Sequence, residues 1–184
     1  AIADVTMRSE QSIDKLVRIC EAEDLISSCG LRLRSELTSS TSTAQKMAIA
    51  RTLLKLSSKS HLGFVIGTLA NGEKPYADIQ HIAKNTLDES DSQRLVDLIQ
   101  RSSGAEKRIA IRALTLVCGT EQVYELAISL LSTDQPRNER IESLILAGAA
   151  ARSNQRPEAA QVLKPFLESC DFGVRLIAIY AIIN

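Results

Sequence analysis

Hydrophobic and polar residues recur along this chain in short blocks that have the period of an α-helix, each about 12 residues long. The blocks predict helices at residues 11–28, 31–38, 44–57, 60–70, 76–88, 91–102, 105–118, 121–132, 138–152, 156–169 and 172–183. Their expected N-caps are Ser60, Asp91, Thr120 and Asp171, and Pro75 and Pro157 suit first helical turns. No stretch alternates residue by residue as a half-buried strand does, so the pattern predicts an all-α protein.

Every second predicted helix starts at a similar interval along the chain, at residues 44, 76, 105, 138 and 172. The helices between them start at 60, 91, 121 and 156, which indicates a two-helix unit of about 30–35 residues. The segments AQKMAIARTLLKL at 44–56 and AEKRIAIRALTLV at 105–117 share an Ala, a Lys, an Arg and a Leu without a gap. Units of this length that repeat along a chain are typical of helical solenoids.

The C-terminal unit, VLKPFLESCDFGVRLIAIYAII, carries the most specific pattern. Its landmarks are Leu163, Pro165, Leu167, Asp171, Val174, Arg175, Ala178 and Ala181. This order resembles the HEAT repeat, in which a Pro kinks the first helix, an Asp caps the second, and Asp and Arg commonly bond between neighbouring repeats. The resemblance implies an all-α, right-handed α-solenoid of about four to five two-helix HEAT-like repeats with an N-terminal helical cap, an armadillo-like architecture.

Residues 1–43 differ from the rest, and we expect them to form the helical cap and a Ser/Thr-rich loop. Residues 44–184 are expected to form the HEAT-like helical repeats as a single continuous array. The loop LTSSTSTA at 37–44 is most simply a mobile connection. A regulatory, phosphorylatable segment is the alternative.

Composition limits which side chains can form the core and which classes of partner the chain can bind. The chain has three Phe, three Tyr and no Trp, so its core must be aliphatic. Basic and acidic residues balance at 22 each, whereas a nucleic-acid binder usually needs a basic excess. Cys20, Cys118 and Cys170 lie in or beside apolar runs, where cysteine behaves as a small buried hydrophobe. We expect reduced thiols, a cytoplasmic location and no membrane span.

No catalytic constellation stands out, so we expect no enzyme, no metal and no cofactor. His61 and His81 have no further ligands at metal-binding spacing, and no phosphate loop or nucleophile elbow is present. The resemblance keeps an enzyme alternative open, because HEAT-like bilin lyases and DNA glycosylases exist. The absence of Trp and the neutral charge argue against a glycosylase.

The candidate binding residues are basic side chains on the second helices of the repeats. In HEAT-like solenoids these helices line the concave surface, where a basic row suits an acidic peptide or a phosphate backbone. The alternative is a solvated face with salt bridges between repeats, which Glu106, Glu139 and Glu142 could supply. We define the basic row as Lys46, Arg51, Lys107, Arg108, Arg112 and Arg140.

The last helix, VRLIAIYAIIN, is apolar nearly all round, although a terminal repeat usually needs a polar outer face. This indicates a missing repeat, a partner or self-association at the C-terminal end. The sequence therefore predicts a protein–protein interaction or scaffold module that binds another protein or peptide along the concave surface. Nucleic-acid or phosphopeptide binding through the basic row is the alternative in a different class.

Overall fold

The computed structural model describes residues 15, 18, 19, 26–40, 42–56 and 61–183, which contain α-helices and no strand. Two short 3-10 helices lie at Glu89–Asp91 and Lys164–Glu168. The α-helices are α1 (Ile26–Ser39), α2 (Thr43–Lys55), α3 (Leu62–Ala70), α4 (Pro75–Thr86), α5 (Ser92–Arg101), α6 (Gly104–Leu114), α7 (Glu121–Ser132), α8 (Arg137–Ser153), α9 (Ala159–Leu163) and α10 (Phe172–Ile183). The all-α prediction is confirmed for these residues.

The helices divide into two compact units, Ala1–Thr86 and Leu87–Asn184. In the second unit, α5 packs on α6, α7 on α8, and α9 on α10, so each pair forms a two-helix repeat. The second helices also stack in order, α6 on α8 and α8 on α10, which is the packing of an α-solenoid.

The first unit repeats the same scheme on a smaller scale. Helix α1 packs on α2 and α3 packs on α4, while α2 contacts α4 and α1 contacts α3. Helix α1 lies within the predicted N-terminal cap, yet it packs as the first helix of a pair. The predicted boundary at residue 43 stays a prediction, and most of the helix predicted at 11–28 lies outside the described residues.

Several helix starts follow the local chemistry of the sequence. The Thr120 side chain accepts a hydrogen bond from the Val123 N–H at 3.4 Å, and Asp171 accepts one from the Val174 N–H at 3.1 Å. Both side chains satisfy N–H groups that have no partner within the helix, as a cap should. The predicted caps at α7 and α10 are therefore confirmed, whereas Ser60 lies outside the described residues.

The cap before α5 differs from the prediction. Asp91 directly precedes α5 as predicted, but its side chain makes no capping hydrogen bond to that helix. Asp88 instead caps the 3-10 helix before α5, and its carboxylate accepts from the Ser90 N–H at 2.8 Å. Asp91 bonds back to the Asp88 N–H at 3.2 Å, which closes a capping box. The helical segment therefore begins with the 3-10 turn at Glu89–Asp91, three residues before α5 begins at Ser92.

Two other helix boundaries were wrong. The predicted break between residues 28 and 31 is absent, because α1 continues through Gly30. The helix predicted at 156–169 begins only at Ala159, which leaves Pro157 in the preceding turn. It changes from α to 3-10 geometry at Lys164, next to Pro165, whose ring nitrogen has no hydrogen to donate.

Helices α8 and α10 approach each other closely where they cross at Gly148 and Ala181. A Cβ atom added at Gly148 would lie 2.8 Å from both the Cα and the Cβ of Ala181. Because that separation is shorter than carbon atoms tolerate, only glycine fits at this position of α8. The core around this crossing is aliphatic, as predicted, with Leu144, Ala147 and Ala178 fully buried.

The cysteines meet the prediction only in part. Cys118 is buried and Cys29 is buried as well, whereas Cys170 is exposed in the turn before α10. The expectation of a buried Cys170 is therefore wrong, because the turn places its side chain outward. Among the helices of the described part, none is long and apolar enough to cross a membrane.

Candidate functional site: the second-helix surface and the face of α10

Two residues of the basic row form ion pairs between neighbouring repeats. Arg112 on α6 donates to Glu142 on α8 through Nε at 2.8 Å and Nη2 at 2.9 Å. Lys107 Nζ lies 3.2 Å from Glu139 Oε2 on the same pair of helices. Both carboxylates are buried, so these two basic side chains stabilise the stacking of α6 on α8.

Three of the other four members of the basic row lie in different surroundings from one another. Arg140 Nη2 lies 3.3 Å from Asp134 Oδ1 and 3.3 Å from the Gln135 carbonyl oxygen, within its own repeat. Arg51 on α2 contacts the His81 ring on α4. Arg108 is half-buried on α6. Lys107 and Arg112 thus lie on one helix and pair with the same neighbouring helix. Arg51 belongs to the first unit and has a histidine as its partner.

Lys46 lies at a polar cavity of about 390 Å³ in the first unit. The cavity is bordered by the start of α2 and the turn between α3 and α4, where Glu73, Lys74 and Asp78 also line it. Two lysines and two carboxylates line the same cavity, so their formal charges cancel there. Lys46 does not extend a basic surface at this position.

Asp171 forms a bond to an arginine of the neighbouring repeat, as the HEAT-like pattern implies. Arg137, the first residue of α8, donates to Asp171 through Nε and through Nη2, the latter at 3.1 Å. Together with the Val174 N–H, this bond lowers the pKa of Asp171 to about 2. Arg175, the other charged landmark of this unit, donates to the Ser169 carbonyl oxygen at 2.5 Å within its own turn and not to a neighbouring repeat.

Gln135 and Ser143 form a buried polar cluster between α7 and α8, which the sequence did not predict. Gln135 Nε2 donates to the Leu130 carbonyl oxygen at 2.9 Å, and the Ser143 hydroxyl donates to the Glu139 carbonyl oxygen at 2.9 Å. The Gln135 and Ser143 side chains also bond to each other at 3.2 Å. Buried polar atoms satisfied in this way fix the position of one helix against the next.

His61 is held in a buried polar cluster in the first unit. Arg34 Nε donates to His61 Nδ1 at 3.0 Å, and the Arg34 guanidinium lies 5.0 Å from the centre of the Phe64 ring. An added Cβ at Gly30 would lie 2.8 Å from His61 Nε2, so glycine permits the imidazole to approach α1. Burial, and then the nearby charge of Arg34, lowers the pKa of His61 below its usual 6.5.

This arrangement predicts a loss of stability in mild acid. The unfolded chain takes up a proton at histidine near pH 6.5, whereas folded His61 resists protonation until a lower pH. The free energy of unfolding should therefore be fully retained above pH 6.5 and should fall as the pH drops below it. Urea denaturation from pH 7.5 to pH 5 measures this dependence.

His61→Gln keeps a hydrogen-bond acceptor for Arg34 and removes the imidazole that takes up the proton. The free energy of unfolding of this variant should therefore change less between pH 7.5 and pH 5 than that of the wild type. An identical profile in His61→Gln and in the wild type would contradict the assignment.

Helix α10 presents a continuous apolar face to solvent. Its members are spaced i, i+4, i+7, i+8 and i+11, which places them along one side of the helix. Their exposed fractions range from 38% at Leu176 to 74% at Ile183. We call this surface the α10 face and define it as Phe172, Leu176, Ile179, Tyr180 and Ile183.

The remaining chemistry of the described residues is sparse. Nowhere in the described ranges do three or more His, Cys, Asp or Glu side chains come close enough to hold a metal ion. A second cavity of about 340 Å³ lies among α8, α9 and α10, where Arg152 and Arg156 border it. Arg156 is engaged there by Glu121 at 2.8 Å and by Glu158 at 3.4 Å.

Comparisons with known proteins identify no family for this chain. No protein-family model matches the chain, and no curated protein matches it. Among solved structures, a designed armadillo repeat protein is similar, with 14% sequence identity and a TM-score of 0.46. That similarity covers 98% of this chain and 89% of the designed one. The helical-repeat architecture stands on the packing of the helices described above.

Proposed function

We propose that this chain is a non-enzymatic protein-binding module of the helical-repeat type, which acts in the cytoplasm and binds a helical partner through the α10 face. The observation that carries the proposal is the exposure of five large apolar side chains along one side of α10. An apolar surface of this extent on a folded protein usually marks an interaction site.

The position of the α10 face within the repeats supports the same function. Helices α8 and α10 begin at residues 137 and 172, so equivalent positions differ by 172 − 137 = 35 residues. The residues of α8 that correspond to the α10 face are therefore 137, 141, 144, 145 and 148. Helix α10 itself covers that side of α8, because Arg137 contacts Asp171 and Gly148 meets Ala181. The α10 face is thus the side that receives a packed helix in the preceding repeat.

The basic row gives less support to nucleic-acid or phosphopeptide binding. Lys107, Arg112 and Arg140 each lie within ion-pair distance of a carboxylate, and Lys46 shares a cavity with two more. Positive charge that is neutralised inside the protein releases few counterions from a phosphate backbone. Binding of the partner along the basic row therefore ranks below binding through the α10 face.

A library of phage-displayed amphipathic helical peptides tests the proposed function on the immobilised chain. We expect enrichment on the wild type and loss of that enrichment, by at least an order of magnitude, on Ile179→Lys/Ile183→Lys. Lysines near the C-terminus of a helix interact favourably with its dipole, so this variant should stay folded, which circular dichroism would verify.

Leu116→Lys is the matched control, because Leu116 and Ile179 are both 42% exposed and Leu116 lies away from α10. This control should keep the enrichment seen with the wild type. Failure to enrich any helix, or equal enrichment on the wild type and on the double-lysine variant, would contradict the proposed function.

A further inference from the structure

The cavity of about 340 Å³ inside the last repeat has largely apolar walls and arginines at its edge. It lies where the C-terminal half of α8 faces α9 and the end of α10. The space stays open because five of its eleven lining residues carry no side chain or only a methyl group. They are Gly148, Ala151, Ala159, Ala160 and Ala181. None of the lining residues belongs to the α10 face, so the cavity is separate from the surface proposed above to bind a partner.

The two arginines that border the cavity differ in how their charges are balanced. Arg156 pairs with Glu121 at 2.8 Å and with Glu158 at 3.4 Å. Arg152, in the last turn of α8, forms no ion pair and no side-chain hydrogen bond with any residue in the described part of the chain. Its side chain is exposed, so a ligand that enters from solvent can reach the guanidinium. The cavity therefore offers one unbalanced positive charge beside an apolar space.

The position of Arg152 at a helix end does not by itself account for this arrangement. Cations are favoured in the last turn of a helix, and Arg101 at the end of α5 is an exposed arginine of that kind. Arg101 borders neither of the cavities described above. Arg152, in contrast, also borders a smaller hollow of about 170 Å³, which Ile145 and Ile177 help to line. Apolar space thus surrounds Arg152 and not Arg101.

The volume of the larger cavity limits the size of its ligand. At roughly 30 Å³ for each group the size of a water molecule, 340 Å³ holds about eleven non-hydrogen atoms. A linear carboxylate of about eight carbons has this size, and small-molecule pockets commonly start at about 300 Å³. A carboxylate matches the guanidinium in geometry and charge, and an aliphatic chain is stabilised by leaving water. Such a ligand would pair with Arg152 and place its chain against Leu163 and Ile182.

We propose that this cavity binds a medium-chain aliphatic carboxylate. The carboxylate pairs with Arg152 at the edge, and the chain lies among α8, α9 and α10. This is a second binding site in the last repeat, and it does not depend on partner binding by the α10 face.

Isothermal titration calorimetry of octanoate into the whole chain tests the site. Octanoate should bind saturably. Hexanoate, which is two methylene groups shorter, should bind about 15-fold more weakly, since each buried methylene contributes about fourfold. Octan-1-ol keeps the chain without the charge and should bind about fivefold more weakly than octanoate, the upper range for a partly exposed ion pair.

Two variants separate the charge from the cavity. Arg152→Gln removes the cation and should weaken octanoate binding about fivefold. Arg101→Gln, which removes an exposed arginine from the last turn of a different helix, is the matched control and should leave the affinity unchanged. Ala160→Leu extends a side chain into the cavity and should weaken binding by at least about fourfold, because it displaces at least one methylene of the ligand. Circular dichroism verifies that each variant is folded.

Three results would overturn the proposal. The first is the absence of saturable octanoate binding at millimolar concentration. The second is an equal loss in Arg152→Gln and Arg101→Gln, which would show that octanoate responds to the net charge of the chain. The third is an unchanged affinity in Ala160→Leu, which would place the aliphatic chain outside the cavity.

Discussion

Replacing Arg112 by alanine is expected to lower the free energy of unfolding by about 3 kcal/mol, because it leaves the Glu142 carboxylate buried and without its cation. The Arg112 and Glu142 side chains are 20% and 5% exposed, and two parallel hydrogen bonds join them. Water can therefore do little to replace the guanidinium once it is removed. Urea denaturation followed by circular dichroism measures the loss.

An exposed ion pair between repeats provides the matched control. Arg156 and Glu121 are 42% and 50% exposed, so Arg156→Ala should cost less than about 1 kcal/mol. The double variant Arg112→Met/Glu142→Leu removes both charges and should recover most of the stability lost in Arg112→Ala. Equal losses in Arg112→Ala and Arg156→Ala would show that burial does not strengthen the Arg112–Glu142 pair.

The same pair affects how binding experiments are designed. A charge reversal at Arg112 would place a carboxylate beside Glu142, and the variant would report folding as well as binding. Arg140 is the better position for testing the basic row, because it pairs with Asp134, which is fully exposed.

Replacing Gly148 by alanine is expected to destabilise the protein by about 1–3 kcal/mol, the usual cost of overpacking a core. Helix propensity acts in the opposite direction, since alanine is favoured over glycine inside a helix by about 1 kcal/mol. The added methyl group would overlap Ala181, whose backbone atoms cannot move away without shifting α10. Steric overlap should therefore outweigh propensity, and chemical denaturation would show a net loss.

Ala149→Gly, at the next position of α8, isolates the propensity effect and should also destabilise, by about 1 kcal/mol. If propensity alone mattered, the two substitutions would have opposite signs. Adding Ala181→Gly to Gly148→Ala should restore only part of the stability, because the Cα of Ala181 remains 2.8 Å from the new methyl group. A stabilising Gly148→Ala would refute the close crossing of α8 and α10.

The helices could be predicted because their signals are local. Thr120 begins α7 and Pro75 begins α4 through chemistry that acts within one helical turn. The misplaced boundaries depend on contacts from elsewhere in the chain. Gly30 reads as a helix break, yet it lies inside α1, where the His61 ring occupies the space that a side chain would fill.

The candidate site was predictable in kind but not in detail. Glu139 and Glu142 were recognised as possible partners for the basic row, but only the rotation of α6 against α8 selects Lys107 and Arg112 to meet them. Arg137 lacked any signal that distinguished it from other surface arginines, although it forms the bond to Asp171 of the neighbouring repeat. Gln135 resembles an ordinary loop residue, because its burial depends on the end of α7. The exposed face of α10, by contrast, follows directly from composition.

The contacts on the two sides of α8 impose an order on the repeats. Toward α6, α8 needs cations opposite Glu139 and Glu142, and toward α10 it needs a small residue opposite Gly148. If a second copy of α7–α8 followed the original, Glu139 and Glu142 of the copied α8 would face the side of the original α8 that now contacts Ala181. Two buried carboxylates would then lie where only a small apolar residue fits. The repeats of this protein are consequently not interchangeable modules, and duplication or shuffling of a unit would require compensating changes in its new neighbour.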